Sequence, residues 1–136
     1  MGAWGLGPLE NDDACDWLAD LGENGAKSID EAFEDLLDEA ESECIDSGLG
    51  ANAVAALEIL SRIKEGSLSG DELLEASGVD LAGLKSAFTS NRQAQALKAA
   101  EVVLAENSEL QQLWADADQL DEWTHGVQEI VKRLID

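Results

Sequence analysis

Carboxylates are the most abundant side chains in this sequence that could do chemistry. Thirty Asp and Glu residues stand against eight Lys and Arg residues and one His, so the formal net charge is −22. Two carboxylates held at a suitable distance can share the acid and base roles of a hydrolase. With thirty acids, a small carboxylate-dependent hydrolase with a cleft near the N-terminus is our second hypothesis for the function. However, no spacing in the sequence identifies a particular pair of carboxylates.

Other catalytic and metal-binding patterns are missing from the sequence. Asn11, Asp12, Asp13 and Asp16 form an acidic cluster, but it lacks the Gly and the bidentate Glu of an EF-hand loop. Acids in the first turn of a helix also complement its dipole, so we interpret them as capping residues. His125 is predicted on a solvated face, and nucleophile-elbow, phosphate-loop and zinc-spacing motifs do not occur. We expect no catalytic residue, no metal and no cofactor.

A predicted second helix carries an outer face of acids without a base. Like charges one turn apart recur five times along it and cost roughly 0.2–0.5 kcal/mol each. A face that is merely solvated usually interleaves bases, although charge runs are more often solvated faces than binding sites. Either a basic protein partner or a saline cytoplasm explains the pattern. The acids are Asp30, Glu31, Glu34, Asp35, Asp38, Glu39, Glu41 and Glu43, and all but Glu43 are our candidate partner-binding residues.

The charge also limits the classes of partner. Residues 1–61 have a net charge of −15 and residues 62–136 a net charge of −7. Such a field repels nucleic acids and anionic membranes and attracts basic protein surfaces. No apolar stretch is long enough to span a bilayer, and the first residues resemble no signal peptide. We therefore expect a cytoplasmic protein that binds neither nucleic acid nor membrane; the oligomeric state is not assigned.

The elements that must position these side chains are all predicted to be helices. Apolar residues recur at spacings of three and four, and capping residues and glycines mark the ends. Asn11 or Asp12 opens the first helix, which Gly22 ends. Ser28 with Glu31 opens the second, which runs through Cys44 to an end before Gly48. Further helices are predicted at about 51–65, 69–77, 80–88, 92–106, 108–114 and 121–134, in one compact all-α domain over residues 1–136. Gly66 ends the helix at 51–65, and Ser108 with Gln111 opens the one at 108–114. The last helix has an apolar stripe of Trp123, Val127, Ile130, Val131 and Leu134.

Two cysteines, Cys15 and Cys44, fall on different predicted helices. In a reducing cytosol their simplest role is that of small buried hydrophobic residues. The alternative is a redox-sensitive bridge, which requires Cα atoms within about 7 Å.

The N-terminal segment places Trp4 between glycines, ahead of any helix. A large aromatic side chain can anchor a terminus by plugging the core, with Gly5 and Gly7 allowing the chain to turn into Pro8. This interpretation predicts an ordered Gly/Trp segment, and we prefer it. The alternative is a loop that contacts a ligand or a partner.

Both ends of the chain resemble a family of small bacterial proteins known as domain of unknown function 4259. The opening is similar to the family pattern Met-Gly-Ala-Trp-Gly-x-Gly-x-aromatic-Glu-Asn-Asp-x-Ala-x-Asp-Trp, with Leu9 where Phe is usual. Asn107-Ser-Glu-Leu-Gln-Gln-Leu-Trp114, then Trp123 and a closing Arg-Leu, resembles its C-terminal pattern. The matching residues are Trp4, Gly5, Gly7, Glu10, Asn11, Asp12, Asp16, Trp17, Ser108, Glu109, Leu110, Trp114 and Trp123.

This resemblance implies a fold lineage and no particular activity. Together with the charge, it leads us to expect a non-enzymatic acidic protein-binding module. A more specific form of this hypothesis is an inhibitor or immunity-type protein that masks the basic site of a partner such as a nuclease toxin. Electrostatic steering would accelerate such capture at low salt.

Overall fold

A computed structural model describes residues 7–9, 11–66 and 81–135, and its regular elements are helices. They are α1 (Asp12–Asn24), α2 (Lys27–Asp38), α3 (Ser47–Glu65), α4 (Leu81–Leu84), α5 (Ser90–Val103), α6 (Glu109–Asp116) and α7 (Leu120–Ile135). These ranges contain no strand, and the all-α prediction is confirmed. The helix predicted at 69–77 and the Gly/Trp segment up to Leu6 lie outside the described residues.

Helix α3 forms the centre of the core because it is apolar on nearly every side. Its Ala, Val, Leu and Ile side chains from Ala51 to Ile63 are almost all buried, as expected for a helix without a polar face. It packs against α1, α2, α5, α6 and α7. A Cβ atom added at Gly50 would lie 3.3 Å from atoms of Leu110 and Val103, so this glycine allows α5 and α6 to approach closely.

Local capping rules account for several helix ends. Asn11 Oδ1 accepts the N–H of Ala14 at 2.8 Å, and Ser108 Oγ accepts that of Gln111 at 3.4 Å. Gly66 ends α3 in the left-handed conformation, with φ 71°. The predicted stripe of α7 is buried at Trp123, Val127, Ile130 and Leu134, and its fifth member, Val131, is half-buried.

Other boundaries differ from the prediction. Helix α1 continues past Gly22 to Asn24, and Gly25 follows it with φ 68°. Ser28 opens no capping box, because it lies inside α2 and its buried hydroxyl donates to the Asp20 carbonyl at 3.1 Å. Phe88 lies beyond the end of α4, and Thr89 caps α5.

The largest difference is that α2 ends at Asp38 instead of continuing to Cys44. Asn107 Nδ2 donates to the carbonyls of Ala40 and Ser42 at 3.1 and 2.8 Å. The Ile45 N–H donates to the Asn107 carbonyl, and the Glu109 N–H donates to the Ile45 carbonyl. These contacts take carbonyls that a longer helix would use. Asp46 then caps α3, which begins at Ser47 and includes Gly48.

Candidate protein-binding surface

The exposed carboxylates extend beyond the predicted helix face. Between residues 11 and 46 the chain has fourteen acids and a single base, Lys27, and thirteen of these acids are exposed. We call these thirteen residues the acidic surface. Its members are Asp12, Asp13, Asp16, Asp20 and Glu23 of α1, Glu31, Glu34, Asp35 and Asp38 of α2, and Glu39, Glu41, Glu43 and Asp46 after α2.

The predicted candidates therefore do not share one helix face. Glu39 follows the end of α2, and Glu41 and Glu43 lie in the non-helical segment before α3. Glu39 Oε2 accepts the Ser42 hydroxyl at 2.6 Å. Of the five predicted like-charge pairs, those at 30/34, 31/35 and 34/38 lie within α2. The repulsion within this helix is correspondingly smaller than the sequence suggests.

Asp30, one of the predicted partner-binding residues, is half-buried and already paired within the chain. The Arg92 guanidinium donates through Nε and Nη2 to its two carboxylate oxygens, each at 2.9 Å, and through Nη1 to the Ala87 carbonyl. The hydrogen bond to Asp30 raises the pKa of Arg92 above its ordinary value. This half-buried bidentate pair connects α2 to α5. Lys27 also approaches Glu31 to 3.7 Å, but both are exposed and the pair contributes little.

The Asn107–Leu110 motif holds the segment that follows α2. Besides the contacts of Asn107, Glu109 Oε1 accepts the N–H of Ser47 at 2.9 Å, at the start of α3. This hydrogen bond from the Ser47 backbone lowers the pKa of the Glu109 carboxyl. Ser108 and Leu110 are buried. The motif thus fixes the position of three exposed acids, Glu39, Glu41 and Glu43.

Residues from both ends of the chain meet around a small cavity of about 30 Å³. Leu9 follows the cavity residue Pro8 in sequence and is 4% exposed, so the leucine fills a core position where the related pattern usually has Phe. Trp17, also buried, donates through Nε1 to the Ser28 carbonyl at 3.2 Å. The cavity is lined by Gly7, Pro8, Asn11, Asp13, Ser47, Ala51, Val54, Leu110, Trp114 and Trp123.

Part of the N-terminal pattern lies outside the described residues. This applies to Trp4, Gly5 and Glu10, so the core-plug and ligand-loop interpretations of Trp4 both stay predictions. Asp12 and Asp16 are described, and both are exposed on α1.

A buried carboxylate that the sequence analysis did not identify lies between α3 and α7. Glu58 has a side chain 5% exposed, 3.6 Å from Arg62 and 3.3 Å from Arg133. Lys64 Nζ donates to the Arg133 carbonyl at 2.9 Å. The sequence contained one signal for this site, the position of Glu58 within an otherwise apolar helix. A charge that is buried with such a helix requires a charged or hydrogen-bonding partner. Within residues 7–9, 11–66 and 81–135, His, Cys, Asp and Glu form no group of three suited to a metal ion.

The cysteines and the histidine occupy ordinary positions. Cys15 is half-buried on α1, and desolvation, together with Asp12 and Asp16, raises the pKa of its thiol. Cys44 is exposed, so its predicted role as a buried hydrophobic residue is wrong; both thiols are free. His125 is exposed, as predicted, 3.7 Å from Glu129. No helix in the described ranges is long and apolar enough to cross a membrane.

Comparison with known proteins identifies a family for nearly the whole chain. A family model described as Domain of unknown function (DUF4259) matches residues 2–126. No match was found among curated proteins or among solved structures.

Proposed function

The chain belongs to the DUF4259 family, and on that premise we propose that it is a non-enzymatic protein-binding module. Its acidic surface captures a basic surface on another protein. Exposed carboxylates attract such a surface over a distance and then pair with its Lys and Arg side chains. The exposed acids of α1, α2 and the segment before α3 are the binding residues, and the protein acts in the cytoplasm.

The observation that carries this proposal is the lack of compensating bases. Thirteen exposed acids between residues 11 and 46 are accompanied by Lys27 alone. The arginines Arg92 and Arg133 are half-buried and pair with Asp30 and Glu58. Lys64 donates to a helix-terminal carbonyl. These three bases thus serve contacts within the chain and do not compensate the acidic surface.

The hydrogen bonds around Asn107 also support a binding role. Asn107 holds the segment of Glu39, Glu41 and Glu43 through its contacts with Ala40 and Ser42. A segment that is already ordered loses less conformational entropy when it binds, and this increases affinity. The acidic surface therefore combines charge with a fixed shape.

The most specific form of the proposal is an inhibitor or immunity-type protein. A protein that cleaves nucleic acid needs a basic site, because that site must neutralise phosphates. An acidic protein could cover it, and steering would make the capture fast. No observation among the described residues supports the alternative function, a carboxylate-dependent hydrolase. The buried acid Glu58 is paired with two arginines.

The test begins with a basic protein retained from the native lysate at low salt and released at high salt, then identified and purified. Reversing Glu34 and Asp38 together to Lys should weaken its binding by about tenfold or more, mainly through a slower association rate. The double variant Asp121→Lys with Glu122→Lys is the matched control, because it makes the same charge change at exposed positions on α7.

The two variants separate the possible results. Loss of binding in the α2 variant alone supports the acidic surface as the binding site. Equal loss in both variants would show that net charge suffices without a defined surface. Unchanged binding in the α2 variant, or retention of no basic protein at low salt, would contradict the proposal.

A further inference from the structure

A polar groove of about 320 Å³ lies between α2 and α5, beside the acidic surface. Asp30 and Glu34 come from α2, and Arg92 and Gln95 come from α5, with Thr89 and Asn91 completing the lining. Two acids and one arginine leave the groove with one net negative charge. It therefore favours a cation over an anion.

At one level of the groove the charges are paired. Arg92 binds Asp30 through two hydrogen bonds of 2.9 Å, and its remaining terminal nitrogen donates to the Ala87 carbonyl. The Arg92 guanidinium thus links the Asp30 carboxylate on α2 to the Ala87 carbonyl oxygen, which is not part of α2. All three of its nitrogens are used, so Arg92 and Asp30 neutralise each other.

Glu34 and Gln95 line the same groove one helical turn after Asp30 and Arg92, and Arg92 is the one base among the described residues that line it. Glu34 follows Asp30 by four residues and Gln95 follows Arg92 by three. Glu34 is exposed, and no base of the described chain pairs with it. Gln95 Oε1 is buried and has no hydrogen-bond donor within the described residues. Native proteins rarely leave a buried acceptor unpaired, and a ligand is one reason for an exception.

We propose that this groove is a subsite for an arginine side chain of the basic partner. The incoming guanidinium donates to the Glu34 carboxylate and to Gln95 Oε1, which the terminal amide presents by rotating about its soft χ3 torsion. The arrangement repeats, one helical turn along, the one that Arg92 makes. Arginine fits better than lysine because its planar fork reaches two acceptors at once. This inference rests on the proposed function, and it identifies the part of the acidic surface that binds an arginine side chain of the partner.

The test uses the full-length protein and two defined probes, hexa-arginine and hexa-lysine peptides, titrated by calorimetry at about 50 mM salt. We expect hexa-arginine to bind more tightly than hexa-lysine. Glu34→Gln should weaken hexa-arginine binding by about tenfold, because it removes the charge from one of the two acceptors that the guanidinium contacts. Asp35→Asn is the matched control within the acidic surface: it removes the same charge from an exposed position on α2 outside the groove. Since Asp35 takes part only in the long-range attraction, this variant should weaken binding less, by about twofold.

Gln95→Met supplies the second measurement, since methionine keeps the length of the side chain and removes the acceptor. We expect hexa-arginine affinity to fall about threefold while the melting temperature stays equal or rises, because an unpaired buried acceptor is lost. Wild-type affinity in this variant would mean that the oxygen binds only water, and would overturn the subsite. Equal weakening by Glu34→Gln and Asp35→Asn would overturn the subsite and leave the proposed function standing. Absence of any hexa-arginine binding to the wild type would contradict both.

Discussion

Single side chains connect parts of this molecule that lie far apart in sequence. Glu109, at the first position of α6, accepts the backbone N–H of Ser47 at the start of α3. Arg92 joins α5 to α2 through Asp30, and Arg133 joins α7 to α3 through Glu58. Because charge-assisted hydrogen bonds are directional and stronger than neutral ones, they fix the relative positions of the helices as well as adding stability.

The bond between Glu109 and Ser47 predicts a pH-dependent contribution to stability. It lowers the pKa of the Glu109 carboxyl below its ordinary value of about 4.5. A lowered folded-state pKa contributes stability that is complete above the ordinary value and is lost as the pH falls through the lower, folded-state value. The wild type should therefore be more stable than Glu109→Gln near pH 7, and this difference should close as the pH falls below about 4.5.

Urea denaturation of both proteins across this pH range measures the effect. Glu106→Gln is the control, because it removes a nearby exposed charge that does not contact Ser47. A difference between wild type and Glu109→Gln that stayed constant down to about pH 3 would show that the carboxylate charge is not what stabilises this contact.

At the scale of helices, α2 shows how tertiary contacts override local preference. Residues 39–44 favour helix by composition, yet Asn107 takes the carbonyls of Ala40 and Ser42 and the helix ends at Asp38. The last turn of α2 consequently contains no base, and its final residue is an acid. Negative charge at a helix C-terminus is unfavourable, because the partial charge there is also negative.

Asp38→Lys should therefore stabilise the protein. The new cation interacts favourably with the helix terminus and converts the repulsion with Glu34 into attraction, for a gain of about 0.5–1.5 kcal/mol in the free energy of unfolding. Asp38→Gln, which removes the charge without reversing it, should gain about half as much.

Chemical denaturation at low salt and at about 1 M NaCl tests the cause, because salt at that concentration screens exposed charges beyond about 3 Å. The gain should shrink at high salt. A gain that persisted undiminished would indicate a change in packing or helix propensity and not in electrostatics.

At the scale of the whole molecule, charge and core are distributed unequally. The buried apolar residues form one cluster around α3, with members from α1, α2, α5, α6 and α7. The exposed acids concentrate between residues 11 and 46, and the chain as a whole has a net charge of −22. Repulsion among these charges opposes the compact state. The favourable free energy of burying the apolar cluster must therefore exceed the unfavourable free energy of this repulsion.

Added salt should consequently stabilise the folded protein. Raising NaCl from about 0.05 M to about 0.5 M should increase the free energy of unfolding by on the order of 1 kcal/mol, because screening reduces the repulsion among exposed carboxylates. Choline chloride at the same ionic strength should produce the same increase. A response to sodium alone would point to a specific ion site and contradict simple screening.

The sequence by itself determined the features that depend on neighbouring residues. The all-α class, a cap at Asn11 or Asp12, the Ser108 cap, the end of α3 at Gly66 and most of the buried stripe of α7 were predicted, since caps and periodicity act within one or two turns. Membership of the family was likewise evident from the two terminal motifs.

Only the tertiary structure decided the features that join distant residues. The end of α2 depends on Asn107, the neutralisation of Asp30 on Arg92 and the burial of Glu58 on Arg133, each more than sixty residues away. Sequence patterns report which residues can cap or pair, but the fold selects the partner. Part of the predicted acidic helix face therefore became a non-helical segment and a polar groove.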